Sequence, residues 1–406
     1  MKFLFVSGCY ANNMIDRLRS NCRGSDIQNA PNVFQWSIIK GLYESGADFN
    51  VVSFPMLPSF PIRYKRPFSP SSSIKYDEKV VGKMLPYCTL IGLKHYSIKR
   101  RLHREIKRIL QIQPKGEKTV LLLYTTYSFY TKAIIPLTKQ YTDLTIAAII
   151  TDLIDDAFNY KSNNTFLKRI QMNREIKIQK ASYRYIDKFI LLTKAMEEKI
   201  PEAKGKNIVI EGICDRTLDN SIPEKPNSII KIILYTGTLQ KFVCIDDFVD
   251  AFSLTTNPNY RFVICGAGPS ESYIKEKAAK DNRIDYRGVV SREVALSLQQ
   301  KATCVVNPRK PTEEITRFSF PSKTIEYLSS GTPMIGYQLE GIPSEYYSYF
   351  YSPKDLKNES MAQLIDEVLS KPASELQERA FAAKRFIIKN KSARIQVDKI
   401  IDFISK

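Results

Sequence analysis

Short, continuous runs of Val, Ile, Leu and Phe recur along this chain, separated by longer stretches of helical character. In the first half they fall at residues 3–7, 49–53, 120–124, 145–150, 189–192 and 208–210. In the second half they fall at 230–235, 261–265, 284–286, 304–307 and 334–337. A strand with one wet face alternates apolar and polar residues, whereas a continuous apolar run is buried on both faces, as in a parallel sheet. Parallel neighbours need a crossover, usually a helix. Segments 245–252 and 291–300 carry helical periodicity between the runs. The βαβα order in both halves predicts an α/β chain with two doubly wound, Rossmann-like parallel sheets.

At 406 residues the chain is longer than one ordinary core, and two domains are expected. Residues 1–215 form the first, completed by a C-terminal helix at about 388–406, and 228–387 form the second. The stretch 215–227, with Pro223 and Pro226 among polar residues, is the expected linker. Residues 55–73, rich in Pro, Ser and Arg, are too long for a plain connection and are expected to be a functional or mobile loop. Hydrophobic residues at 43% and charged ones at 25% exclude disordered and fibrous classes. No apolar run approaches the roughly 20 residues of a membrane span. The apolar start is short and meets Asp16 and Arg17 before any small-residue cleavage site, so it is expected to be a first strand of a cytoplasmic protein.

The seven cysteines are scattered and form no C-x-x-C pair, which argues against a disulfide framework and a zinc site; no metal is expected. The net charge of +19 is concentrated at residues 94–108. There Ile98, Leu102, Ile106 and Ile109 recur at helical spacing, with Lys99, Arg100, Arg104, Lys107 and Arg108 on other faces. This is either a solvated surface helix or a dock for an anionic membrane surface, where each basic residue contributes roughly 1 kcal/mol. No zinc-finger spacing or aromatic-rich single-strand motif is present, so nucleic acid is not an expected partner.

In the second half, Leu234-Tyr235-Thr236-Gly237-Thr238-Leu239 and Phe262-Val263-Ile264-Cys265-Gly266-Ala267-Gly268-Pro269 each run from a strand into a glycine turn. Ligands of open α/β sheets bind outside the carboxyl ends of strands. Gly237, Thr238, Gly266 and Gly268 are therefore candidate phosphate contacts, although a glycine after a strand is also an ordinary turn. Asn307-Pro308-Arg309 is followed by Arg317-Phe318-Ser319-Phe320-Pro321-Ser322-Lys323-Thr324-Ile325-Glu326-Tyr327-Leu328, then Gly331 and Pro333. Pro321 and Gly331 bracket a short helix. Its start favours an anion. Glu326 lies roughly 7 Å further along the axis, about the separation of a diphosphate from its ribose hydroxyls. Lys323 and Arg309 can pair with a diphosphate. Solvent exposure is the plainer reading for all three charges.

These motifs, in their order, resemble glycosyltransferase family 4, retaining enzymes of the GT-B fold. The match is closest to a bacterial branch written F-P-S-K-x-x-E-Y-L-x-S-G-x-P. Arg287-Gly288-Val289-Val290, Ile150-Thr151-Asp152-Leu153, Leu192-Thr193-Lys194-Ala195-Met196 and Ile210-Glu211-Gly212-Ile213 add to the resemblance. It implies two domains facing across a cleft, an acceptor side first and a donor side second. It also implies sugar transfer from a UDP- or GDP-linked donor, with no cofactor, to a glycan or lipid-linked glycan. The setting it implies is capsule, exopolysaccharide or lipopolysaccharide synthesis, with the enzyme in the cytoplasm or peripheral on the inner membrane face. Expected donor contacts are Gly8, Gly237, Thr238, Gly266, Gly268, Val290, Phe320, Pro321, Ser322 and Glu326. Expected catalytic residues are Arg309, Lys323 and Asp152, the last in competition with Asp155, Asp156 and a plain helix-capping role.

One departure stands out: the family has two glutamates eight residues apart, and Phe318 occupies the first position. Glu313 and Glu314 can substitute only if their loop folds back. Two other functions share this architecture: a nucleotide-sugar epimerase, and a catalytically silent nucleotide-sugar-binding assembly protein, which Phe318 favours.

Overall fold

The computed structural model describes residues 1–23, 29–114, 116–153, 166–215 and 229–406. It divides into two compact units, Met1–Asp215 with Ala393–Lys406, and Arg216–Ser392. The expected linker prolines Pro223 and Pro226, and Asp155 and Asp156, lie outside the described residues.

The first unit is built on an eight-stranded sheet. Its strands are β1 (Lys2–Ser7), β2 (Asp48–Ser53), β3 (Ser72–Tyr76), β4 (Lys79–Met84), β5 (Thr119–Tyr124), β6 (Leu144–Ile150), β7 (Lys188–Leu191) and β8 (Asn207–Val209). Their order is β3-β4-β2-β1-β5-β6-β7-β8. Every pair is parallel except β3 with β4. The continuous apolar runs are the buried centre: Leu4, Phe5, Val6, Leu121 and Leu123 are all fully covered. Each such side chain contributes about 1.5–3 kcal/mol by leaving water.

The second unit carries β9 (Lys231–Thr236), β10 (Tyr260–Cys265), β11 (Ile284–Gly288), β12 (Cys304–Asn307) and β13 (Met334–Gly336), ordered β11-β10-β9-β12-β13 and wholly parallel. The order reverses beside β9, the kind of switch point at which open α/β sheets bind ligands.

The sequence pattern misses one feature, the β3–β4 hairpin. Its strands are short and largely polar, burying only Ile74, Val81, Gly82 and Met84, and its turn is Asp77-Glu78 with φ of 48° and 60°. Such a turn usually announces itself with Asn-Gly or Asp-Gly, which is absent here. The loop expected at 55–73 is partly ordered by this hairpin. Its remainder is pinned by bridges pairing Cys22 with Tyr64, Phe60 with Leu90, and Phe68 with Cys88. All seven cysteines are free, and Cys9, Cys214, Cys265 and Cys304 are buried.

The chain returns to the first unit through its last helix, Ala393–Ser405, which packs on the helix Asn29–Glu44. Ala393, Val397, Ile400 and Ile404 join a core with Phe3, Ile38, Ile39 and Leu42. Gly41 sets the spacing of this seam: a Cβ there would lie 2.3 Å from Val397 Cγ2 and 2.5 Å from the Ala393 carbonyl oxygen. Gly41→Ala should therefore destabilise the chain by about 1–3 kcal/mol, measured by denaturant unfolding, despite its better helix propensity. An unchanged unfolding midpoint would refute this packing.

Candidate functional site

The second unit gathers its polar groups around the carboxyl end of β9. The helix α1 (Ser322–Leu328) opens after Pro321, whose φ of −69° and ψ of 108° turn the chain into the helix without a side-chain cap. Ser322 is exposed. Gly331, at φ 74°, closes the turn beyond the helix. Lys323 Nζ and Glu326 Oε1 form an ion pair at 2.7 Å, one turn apart. Glu326 Oε1 also accepts from Gln299 Nε2 at 2.6 Å. Gln299 Nε2 reaches Thr236 Oγ1 at 3.1 Å as well. Tyr327, the next residue of α1, completes the tie to β9. Its Oη accepts from the Thr236 N–H at 3.0 Å and donates to the Thr236 carbonyl at 3.1 Å.

Burial pulls the Glu326 carboxyl upward, but the Lys323 charge and the hydrogen bonds from Lys323 and Gln299 outweigh it, with a smaller contribution from Arg292. The net result is a carboxyl held below its ordinary value. Its side chain keeps 25% of its exposure, so an ionised acceptor faces solvent from a fixed position. Gln299 is the residue that the sequence reading overlooks. It is fully buried on the helix Arg292–Lys301, whose other residues are largely exposed. Its spacing from Ala295 and Ala302, four before and three after, was the available signal. Val290 is half-buried just before that helix, whose N-cap Ser291 accepts from the Val294 N–H.

Arg309 follows β12 and is buried, its guanidinium 5.3 Å from the centre of the Phe242 ring. The glycine turns pack on each other. The Gly237 N–H donates to the Cys265 carbonyl and the Leu239 N–H to the Ala267 carbonyl, both at 3.0 Å. A Cβ on Gly266, at φ 149°, would lie 1.8 Å from the Gly237 oxygen, and one on Gly268 would lie 2.6 Å from the Leu239 carbonyl carbon. The need for glycine at 266 and 268 thus comes from turn-on-turn packing, which leaves Thr238 exposed at the rim. Phe320 is buried with its ring 5.6 Å from that of Tyr346. Phe318 is only 2% exposed and adds no polar group. Glu313 and Glu314 are exposed, and their carbonyls cap the short turn Ile315–Phe318.

Gly8 and Asp152 belong to the first unit, at the ends of β1 and β6. The Gly8 N–H already donates to Gln35 Oε1 at 2.6 Å. Asp152 is exposed, and its Oδ2 accepts from Thr151 Oγ1 at 3.2 Å. Burial, then the Asp152 charge, raise the hydroxyls of Tyr124 and Tyr127 above the ordinary tyrosine range. Asp152 thus sits beside two aromatic residues at the end of β5. Next to them Thr125, a β-branched residue, is held at φ 68°, a strained conformation that tends to cluster at functional sites. Among the described residues, no group of three or more His, Cys, Asp and Glu side chains is placed to hold a metal ion.

Because the Glu326 carboxyl is held low in the folded chain, its contribution is present above the unfolded value and is lost as pH falls. The melting-temperature advantage of wild type over Glu326→Gln should therefore narrow between about pH 7 and about pH 3.5. A constant or widening gap would contradict the ion pair.

Residues 230–371 match the profile of the family described as Glycosyl transferases group 1. No curated protein sequence matches the chain. Among solved structures, the apo form of the lipopolysaccharide outer core galactosyltransferase WaaB superposes with a TM-score of 0.60 at 12% identity, covering 100% of this chain and 99% of that one. Sucrose-phosphate synthase from Thermosynechococcus elongatus gives 0.63 at 13%, covering 100% and 98%. Anabaena HepE, in complex with UDP and glucose, gives 0.62 at 12%, covering 100% and 99%. Residues 230–371 of the second unit thus match the profile of glycosyl transferases group 1, and the chain as a whole has the GT-B fold.

Proposed function

We propose that this chain transfers a sugar from a UDP- or GDP-linked donor to a glycan or lipid-linked glycan acceptor, with retention at the anomeric carbon. The single observation that carries the donor reading is the ionised Glu326, held by Lys323 and Gln299 at the end of β9. In this reading the Glu326 carboxylate accepts the two ribose hydroxyl protons. Thr238, Pro321 and Ser322 line the phosphate side, with Gly237, Gly266 and Gly268 shaping the turns beside them. Lys323 and Arg309 stabilise the diphosphate as its bond to the anomeric carbon breaks, a preorganised electrostatic contribution that needs no metal. The acceptor oxygen forms the new bond to that carbon, and its proton passes to the oxygen of the departing diphosphate. Asp152 is the candidate group near that hydroxyl. WaaB acts on lipopolysaccharide outer core, which supports a surface-polysaccharide role here, carried out in the cytoplasm.

Glu326→Ala and Lys323→Ala should each lower kcat/KM for donor-dependent transfer by about 100-fold or more while leaving the unfolding transition cooperative. Full activity in both variants would sink the proposed donor site. Phe318 favours a second reading, a chain that binds a nucleotide sugar without transferring it, because its buried ring offers nothing to the sugar hydroxyls. Calorimetric donor binding without transfer or hydrolysis, across a panel of lipid-linked acceptors, would decide for that reading.

A further inference from the structure

The helix Lys94–Ile112 turns its apolar stripe inward: Ile98, Leu102, Ile106, Ile109 and Leu110 are buried in the protein. Its basic residues Lys99, Arg100, Arg101, Arg104 and Arg108 are exposed. Apart from Tyr96 near its start and Ile112 at its end, the exposed face of this helix has no large apolar side chain to insert into lipid. Apolar side chains from the segments before the helix join Tyr96 to supply the rest. Ile62, Phe68, Ile91, Leu93 and Tyr96 are between 53% and 68% exposed, unusual for large apolar groups.

Two laced segments bring these five residues together. The Phe60 N–H donates to the Thr89 carbonyl at 3.0 Å and the Thr89 N–H to the Pro67 carbonyl at 2.9 Å. Thr89 Oγ1 donates to the Arg66 carbonyl at 2.5 Å. Lys94 Nζ donates to the Leu57 carbonyl, tying the start of the helix to the same loop. Tyr96 precedes Arg100 and Arg104 by four and eight residues, so these share one helix face. Exposed Arg63, Lys65 and Arg66 interleave with the apolar residues of the loop. Over residues 49–104 the chain has eleven Lys and Arg but only Asp77 and Glu78 as acids.

We infer that this patch is a membrane-docking surface, with Ile62, Phe68, Ile91, Leu93 and Tyr96 entering the headgroup and acyl boundary of an anionic bilayer. The surrounding Arg and Lys side chains meet lipid phosphates. Burying apolar area and neutralising anionic lipid are the two contributions that hold a protein flat on such a surface. No described helix is long and apolar enough to cross a membrane. The surface is independent of the transfer reaction, since binding is read without donor or acceptor.

Flotation of the full chain with phosphatidylcholine vesicles, with or without about one-third phosphatidylglycerol, tests this. Wild type should float with the anionic vesicles and remain behind with the neutral ones. Phe68→Ser with Ile91→Ser changes only exposed side chains. It should weaken partition at least about tenfold and abolish the bound fraction that survives about 0.5 M salt. Arg63→Gln, Lys65→Gln and Arg66→Gln together should abolish binding at moderate salt. A Tyr96→Trp probe should shift its emission to shorter wavelength on anionic vesicles. The inference is overturned if wild type ignores anionic vesicles or if the double variant partitions like wild type. A concentration-dependent dimer that the same double variant dissolves would also overturn it, making the patch a self-association face.

Discussion

A carboxylate that has lost most of its water must be compensated by charge and hydrogen bonds, or it protonates. Glu326 is compensated by Lys323 on its own helix and by Gln299 from a second helix, and Gln299 in turn is anchored on Thr236 at the end of β9. Tyr327, one residue on, binds both the N–H and the carbonyl of that same Thr236. Two helices and the central strand are thereby locked in one register around an ionised oxygen. The arrangement is stiff, because the carboxylate and its supports cannot move without breaking a half-buried or buried hydrogen bond.

The same logic explains the closeness of the two glycine turns. They meet backbone to backbone, so Gly266 and Gly268 are required by packing before any ligand arrives. Only what stays at the rim, such as Thr238 and Ser322, remains for contact from solvent. Phe318 also belongs to the packing. Where the resemblance places a carboxylate, this chain has a buried ring, and the polar character of that part of the domain shifts toward Lys323, Glu326 and Arg309.

Much of this was legible in the sequence, for physical reasons. Strands buried on both faces must be continuously apolar, so β1, β5, β6 and β10 announced themselves. The short helix from Ser322 was marked by Pro321 before it and Gly331 after it. What escaped was everything whose signal is not periodic hydrophobicity. The β3–β4 hairpin buries only Ile74, Val81, Gly82 and Met84 in two short strands, too few for a periodic signal, and it turns on Asp77 and Glu78 at positive φ without a glycine. Gln299 looked like any polar residue of a surface helix, because its burial depends on where that helix lands on the sheet. The basic helix at 94–112 was visible as a charge pattern, but the apolar side chains beside it come from a loop whose pairing no local rule encodes.

The proposed recognition of ribose by Glu326 is tested most directly by calorimetric titration of the wild-type chain and Glu326→Gln. Each is titrated with the nucleoside diphosphate of the preferred donor and with its 2′,3′-dideoxy analogue. Hydrogen bonds from two hydroxyls to a charged acceptor should make wild type prefer the natural ribose by about 10- to 100-fold, and the variant should lose most of that preference. Equal discrimination by the two proteins would contradict it, placing the ribose elsewhere and leaving Glu326 as a strut between the helix and β9.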